Sequence, residues 1–244
     1  MQLQDILFSQ GFGTRRVCAG LVQQGWVQVH EGGALRACVD AVEEFELDGL
    51  HLRVQGVDWA YHEKAYLLLH KPAGTECSQK PSAYPSIYTL LPAPLRQRPS
   101  KGVTGVQAIG RLDQDTTGLI LLSDDGQFIH RMSSPKKKVP KLYQVHNKHP
   151  VTAQQVEQLL AGVVLDDDPK PVRAAACVQT GERDLDLTLT EGKYHQVKRM
   201  LAAVGNRVEA LHRAQIGRLR LPADMPPGAW RWLSAEDLAL LAGE

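Results

Sequence analysis

The sequence predicts an α+β protein in two parts, a small helix-and-strand unit followed by a larger, strand-rich domain. Three observations lead there. Apolar runs of strand length recur along the chain, separated by stretches with helical periodicity. The first sixty or so residues carry their own helix–helix–strand pattern and then lose it. A polar cluster, Gly110 to Thr117, lies between two apolar runs, where it is costly to desolvate unless its members pair with each other or with a ligand. At 244 residues and 43% hydrophobic, the chain is long enough for one large domain and a small one.

Taken in order, Ile6, Leu7, Val17, Leu21 and Val22 suggest two short helices broken at Gly11-Phe12-Gly13. Arg15 and Arg16 open the second, and Thr14 caps it. Trp26 to Val29 alternates like a strand and turns at Glu31-Gly32-Gly33. Val54 to Glu63 has no strong pattern. A linker over residues 58–64 is therefore expected between a unit of residues 1–57 and a domain of residues 65–244. Tyr66 to His70 reads as a buried strand that ends in a Lys71-Pro72-Ala73-Gly74 turn. Thr75 to Gly105, rich in Pro and Ser, reads as a long loop, either facing a substrate or simply mobile.

Val106–Ile109 and Leu119–Leu122 are expected as buried strands flanking the polar cluster, with Gln127–Ser133 a short helix and Lys141–Val145 a strand. Thr152-x-x-Gln155 is a capping-box start for a helix reaching Gly162. Leu185, Leu187 and Leu189 share one face of a strand, and Ser234-x-x-Asp237 opens a terminal helix. Asp166-Asp167-Asp168 reads as a solvated loop, because no further ligand spacing accompanies it.

Composition narrows the function classes. The net charge is +1, so the chain is not basic throughout, but basic patches stand at Arg15-Arg16, Lys136-Lys137-Lys138 with Lys141, and Lys198-Arg199. Cys18, Cys38, Cys77 and Cys177 form no C-x-x-C pair, which argues against zinc and against a disulfide framework. No apolar run reaches membrane-spanning length and no signal-peptide pattern opens the chain, so a soluble cytoplasmic protein is expected.

Two clusters carry chemistry. In the first, Arg111 and Asp113 flank Leu112; on an extended strand both would face one side, a guanidinium beside a carboxylate. A hairpin turn closed by Asp and Thr side chains is the plainer alternative. In the second, Gly192 to Met200 is expected to begin a helix whose Val197, Met200, Leu201 and Val204 form a buried stripe. His195, Lys198 and Arg199 form a separate basic stripe at the helix start, suited to a phosphate or a buried carboxylate.

These motifs together resemble a known family. Gly110-Arg111-Leu112-Asp113 with Thr116-Thr117-Gly118-Leu119 and Asp125-Gly126 is similar to the signature around the catalytic aspartate of pseudouridine synthases. Lys71-Pro72-x-Gly74, Lys141-x-Tyr143 and Gly192 to Met200 resemble that family's upstream, base-stacking and downstream basic motifs, in the same order. The first unit resembles the S4 RNA-binding fold. Tyr194-His195-Gln196 and the run through Asn206 to Leu211-His212-Arg213 look most like the RsuA type, bacterial enzymes that modify small-subunit (16S) ribosomal RNA. Departures lie in Gln2, Gln4 and His30-Glu31-Gly32, in His70 where Asn is common, and in the longer segment from Arg96 to Gly105.

The resemblance implies a mixed, largely antiparallel sheet core with flanking helices, and a monomer that isomerises a uridine of ribosomal RNA without cofactor or metal. Asp113 would act at the sugar–base junction as nucleophile or base, Lys198 would be its counter-ion, and Tyr143 would stack on the uracil. Arg111 would bind phosphate or fill the space left by the flipped base. Thr116, Thr117, Lys71, His195 and Arg199, with Arg15, Arg16, Lys136, Lys137 and Lys138 on the rim, would contact RNA. Two rivals remain open: a glycosidase pairing Asp113 with Asp115 as acid and base, and a non-catalytic RNA-binding protein built on the first unit. The large ribosomal subunit is the alternative target.

Overall fold

The computed structural model describes residues 1–99, 104–166 and 168–243. Asp167, and Ser100 to Val103 within the expected long loop, lie outside the described residues. The chain forms two compact units. The first comprises Met1–Ala65 with Leu91–Gln107 and Ser123–Asp125, and the second the remainder.

The first unit begins with helices α1 (Leu3–Gln10) and α2 (Arg15–Gln23), separated at Gly11 as the sequence suggests. Gly11 has φ 92°, and a Cβ there would run into the Pro94 carbonyl, so the break needs glycine on two counts. Thr14 caps α2, its hydroxyl accepting from the Val17 amide at 3.3 Å. Four antiparallel strands follow in the order β2-β1-β3-β4: β1 (Val27–Glu31), β2 (Ala34–Cys38), β3 (His51–Val54) and β4 (Val57–Ala60). Leu3, Ile6 and Leu7 of α1 meet Val22, Val27, Val29, Leu52 and Val54 in one core.

The expected linker is thus corrected at its start, since β4 pairs with β3 through Leu52 and Trp59. A four-residue strand with a single buried position, Trp59, shows no alternation long enough to register. The long loop is also more structured than expected. It contains a 3₁₀ turn at Ile87–Leu90 and helix α3 (Ala93–Gln97). Glu76 fastens it by accepting from the amides of Ser82, Ala83 and Tyr84 at 2.9–3.0 Å.

The second unit is built on a sheet of nine strands: β5 (Tyr66–Lys71), β6 (Gln107–Ile109), β7 (Thr117–Ser123), β8 (Lys141–Asn147), β11 (Ala176–Gln179), β12 (Asp184–Leu189), β13 (Val208–Ile216), β14 (Leu219–Arg220) and β15 (Trp230–Trp232). Their main order is β11-β12-β8-β13-β7-β5-β15. Pairing is mostly antiparallel, with β13 and β7 running parallel. A separate ribbon joins β9 (Val163–Leu165) to β10 (Asp168–Val172), so Asp168 opens a strand where a loop was expected.

Helices α4 (Gly126–Ser133), α5 (Ala153–Ala161), α6 (Gln196–Ala203) and α7 (Ala235–Ala242) complete the unit. Thr152 and Ser234 close the capping boxes of α5 and α7. Val197, Met200 and Leu201 of α6 join Leu159, Leu185 and Leu187 in one core, while Leu68, Leu119, Phe128 and Ile216 form another. Helix α6 starts later than expected. Gln196, almost fully buried, accepts from the Lys193 amide and donates to Glu191, both at 2.8 Å, which holds residues 191–195 in a turn. Among the described residues no helix is long and apolar enough to cross a membrane.

Candidate active site

The polar cluster between β6 and β7 is a turn and not a strand. The Thr116 amide donates to the Asp113 carbonyl at 3.1 Å, and Gly110 takes φ 72°. Lys71, at the end of β5, lies beneath this turn with no exposed surface. Its ammonium donates to the carbonyls of Pro72, Gln114 and Thr116 at 2.9–3.2 Å, and the Gly74 amide donates to Gln114 at 2.8 Å. Burial pushes the Lys71 ammonium below its ordinary pKa. Lys71 was expected to touch RNA; all its donors serve the backbone of the turn instead.

Held in this way, Asp113 is a quarter exposed and faces an imidazole and an ammonium. One oxygen lies 3.2 Å from His195 Nε2 and the other 3.0 Å from Lys198 Nζ. Lys198 reaches further, to both oxygens of Asp115 at 2.7 and 2.9 Å. Burial acts on Lys198 downward, but its hydrogen bonds to Asp115 and Asp113 outweigh that and its pKa rises. Burial acts on Asp115 upward, but the Lys198 hydrogen bond and charge outweigh that and its pKa falls.

The expected Arg111–Asp113 pair is absent among the described residues. Once the segment turns, side chains two apart no longer share a face. Arg111 instead stands along the same cleft, which Asp113, Thr116, Tyr143, Lys198 and Arg213 also line. Tyr143 on β8 is largely buried and lies directly opposite Leu187 of β12 and Arg213 of β13. Asp115 contributes to a different groove, with Thr117 and His212. Thr117 is turned that way, its hydroxyl 2.8 Å from His212 Nδ1.

His195 is not part of the helical stripe but the residue before α6, in the left-handed region at φ 48°. The ring of Tyr194, 77% exposed, stacks on it at 3.7 Å, and Arg199 donates to the Tyr194 carbonyl at 3.1 Å. Lys136, Lys137 and Lys138 are exposed on the turn after α4, beside Ser134 and Pro135 of the cleft. In the first unit, Arg15 pairs with Asp5 at 2.6 Å and lies over the Phe8 ring, while Arg16 is exposed. Lys141 and Arg213 also line the cleft, and the sequence reading named both within motifs without assigning either to the site. The signal for Arg213 was the alternation of β13, which puts Leu211 and Arg213 on the face opposite His212, and that for Lys141 was its place on β8 two residues before Tyr143. Among the described residues no group of three His, Cys, Asp or Glu could hold a metal ion.

Chemically, the cleft offers the Asp113 carboxylate held between an imidazole and an ammonium, an aromatic wall and buried donors. It does not offer a glycosidase pair, because Asp113 and Asp115 grip the same ammonium and do not oppose each other across a substrate.

Residues 65–203 match the RNA pseudouridylate synthase family. The chain is 37% identical to an uncharacterized RNA pseudouridine synthase of Bacillus subtilis, over 99% of this chain and 98% of that protein. It is 37% identical to the ribosomal small subunit pseudouridine synthase A of Escherichia coli K12, over 96% and 97%, and 38% identical to that of Pasteurella multocida, over 98% of each. A crystal structure of a pseudouridylate synthase superposes with a TM-score of 0.67 at 31% identity, covering 99% of both chains. The chain therefore belongs to the RNA pseudouridine synthase family, and it is an isomerase.

Proposed function

We propose that this enzyme converts one uridine of small-subunit ribosomal RNA to pseudouridine, in the cytoplasm, as a monomer and without a cofactor. The observation that carries the reading is the Asp113 carboxylate, braced by His195 and Lys198 in the cleft that Tyr143 lines. The small-subunit target is supported by full-length relatives that bear that name.

In the reaction the bond between ribose C1′ and uracil N1 breaks, the ring turns, and a bond forms from C1′ to C5. The C5 proton leaves and N1 regains one, so atoms balance with no redox partner. Asp113 acts at C1′ as nucleophile or on the sugar as base. Lys198 and His195 hold it in register. Tyr143 stacks on the extruded base, which costs a few kcal/mol, roughly, to unstack. Arg111, Arg199 and the exposed Lys136–Lys138 turn bind phosphates along the entering strand. The first unit, with Arg15 and Arg16 opening α2, serves as an S4-like dock for RNA.

The test is a map of pseudouridines in ribosomal RNA from cells lacking the protein. One missing site in the small-subunit RNA is expected, restored by the parent gene and not by Asp113→Asn. A missing site in the large-subunit RNA would replace the target, and release of free uracil would replace the chemistry.

A further inference from the structure

Arg213 is 2% exposed, and its guanidinium is only partly used. Nε donates to the Leu119 carbonyl at 2.8 Å, fixing the side chain against β7, while Nη2 is buried with no hydrogen-bond partner. An orphaned donor on a buried cation is expensive and calls for an explanation. The Thr116 hydroxyl, in the same cleft, is buried and unpartnered as well. Arg213 sits opposite Tyr143 across two paired strands, so the free donor belongs to the wall on which the base would stack. Lys141, also lining the cleft, is pushed down in pKa by burial and then by Arg213, and Arg213 has no carboxylate partner among the described residues. Apart from the Asp113–Lys198 pair the cleft therefore holds one buried cation, Arg213, and a half-buried one, Lys141, while its other carboxylate, Glu191, accepts from Gln196.

We propose that Arg213 is a catalytic residue of the uridine reaction: it donates to a uracil carbonyl oxygen and stabilises the base as an anion once the glycosidic bond has broken. This rests on the proposed function. When the C1′–N1 bond breaks, its electron pair leaves on the ring and spreads over N1, O2 and O4. Arg213 stays protonated throughout, and the Thr116 hydroxyl supplies a second polar contact to the base. A donor preorganised toward developing charge typically contributes about 10²–10³ in rate.

The experiment compares Arg213→Gln and Arg213→Lys with the parent on an RNA that the parent isomerises. Single-turnover loss of the N-glycosidic link is followed with uridine or 5-fluorouridine at the target. Fluorine makes the base a better leaving group, so a missing donor should matter less. Arg213→Gln should be about 100-fold slow on uridine and clearly less so on 5-fluorouridine, with RNA affinity within about two-fold and Arg213→Lys partly restored. Equal deficits on both substrates, or a normal rate in the Gln variant, would overturn the proposal. Should both variants fail to fold, the parent decides: 5-nitrouracil, an anion at neutral pH, should inhibit at least about tenfold better than neutral 5-methyluracil, and equal inhibition would overturn it. A wrong RNA target would appear differently, as no turnover by the parent.

Discussion

Each unit contains an arginine or lysine gripping a carboxylate, and the two arrangements differ in what they leave unfinished. In the first unit Arg98 and Asp124 have side chains only 2% and 6% exposed and meet at 2.6 Å. Arg98 also donates to Gln10 and to the carbonyls of His62 and Glu63, and Asp124 accepts from the Ala65 amide. Every nitrogen of that guanidinium has a partner. In the second unit Lys198 is shared between Asp113 and Asp115, all three are partly exposed, and unpartnered donors lie nearby in the cleft. Buried charge that is fully satisfied holds a fold together; charge left with spare capacity beside a cleft is available to a substrate.

The sharpest way to break this comparison is Asp113→Asn. Size and hydrogen bonding persist, but the charge and the nucleophile go. Turnover should fall at least about 10⁴-fold, roughly 5.5 kcal/mol of barrier, while the melting temperature stays close to the parent's. Retained turnover would remove Asp113 from the chemistry. Arg98→Met is the mirror experiment. It strands Asp124 in the interior, so unfolding free energy should drop by about 3–5 kcal/mol in a denaturant titration, with the residual folded enzyme still turning over. A small loss of stability there would mean that the first unit does not depend on its buried pair.

How legible each cluster was in the sequence follows from the same difference. Thr116, Asp113 and Lys198 lie in short motifs whose order survives along the chain, so the site's members could be named without coordinates. Of their pairings, Lys198 with Asp113 was expected and is present, whereas the His195 contact and the sharing of Lys198 with Asp115 were not foreseen. Arg111 was matched to Asp113 on the assumption of an extended strand, and the turn anchored by Lys71 sends that cation elsewhere along the cleft. Lys71 was given an RNA contact with the rest of the motifs that carry the resemblance; only the topology that buries β5 reveals its partners. Arg98 was invisible. It lies in a Pro- and Ser-rich stretch, and its partners Gln10, His62 and Asp124 are between 26 and 88 residues away. Helices with capping boxes and strands with long alternation were readable because those signals are local. The four-residue β4 was not, since one buried tryptophan makes no period.

A smaller effect separates the two carboxylates that share Lys198. Lys198→Met should cut turnover about 100-fold and remove the two largest influences that lower the pKa of Asp115, so that burial, which raises it, meets less opposition. The sign follows directly. In the parent Asp115 titrates below its unfolded value, so its stabilising contribution is present above the ordinary carboxylate range and lost as pH falls through the folded value. In the variant that contribution shrinks, and a carbon-13 carboxyl titration should show Asp115 moving to higher pH. An unmoved Asp115 would mean that its own backbone hydrogen bond, and not Lys198, holds it down. Asp115→Asn should slow turnover by less than tenfold, roughly, because it leaves Lys198 on Asp113.

The smallest expected effect asks whether burial or saturation is what marks a structural charge. Glu76 is the case that separates them, being a carboxylate near the surface whose oxygens are filled by the amides of Ser82, Ala83 and Tyr84 and by the Ser82 hydroxyl. Those amide hydrogen bonds are the largest influence on it and lower its pKa from 4.5 to about 2. A folded pKa below the free value means that the turn's added stability is complete above about pH 4.5 and disappears as pH falls toward about 2. Amide exchange at Ala83 and Tyr84, corrected for the intrinsic rate, should therefore lose protection on acidification through that window. Glu76→Gln keeps an acceptor oxygen but no charge, so exchange there should be several-fold faster at neutral pH and indifferent to acid, with turnover within about two-fold of the parent. If the Gln variant kept the acid-dependent loss of protection, another group would be holding the turn. If it lost turnover more than about tenfold, saturation would not be a sufficient sign of a structural role, and the Glu76 turn would have to be counted with the cleft.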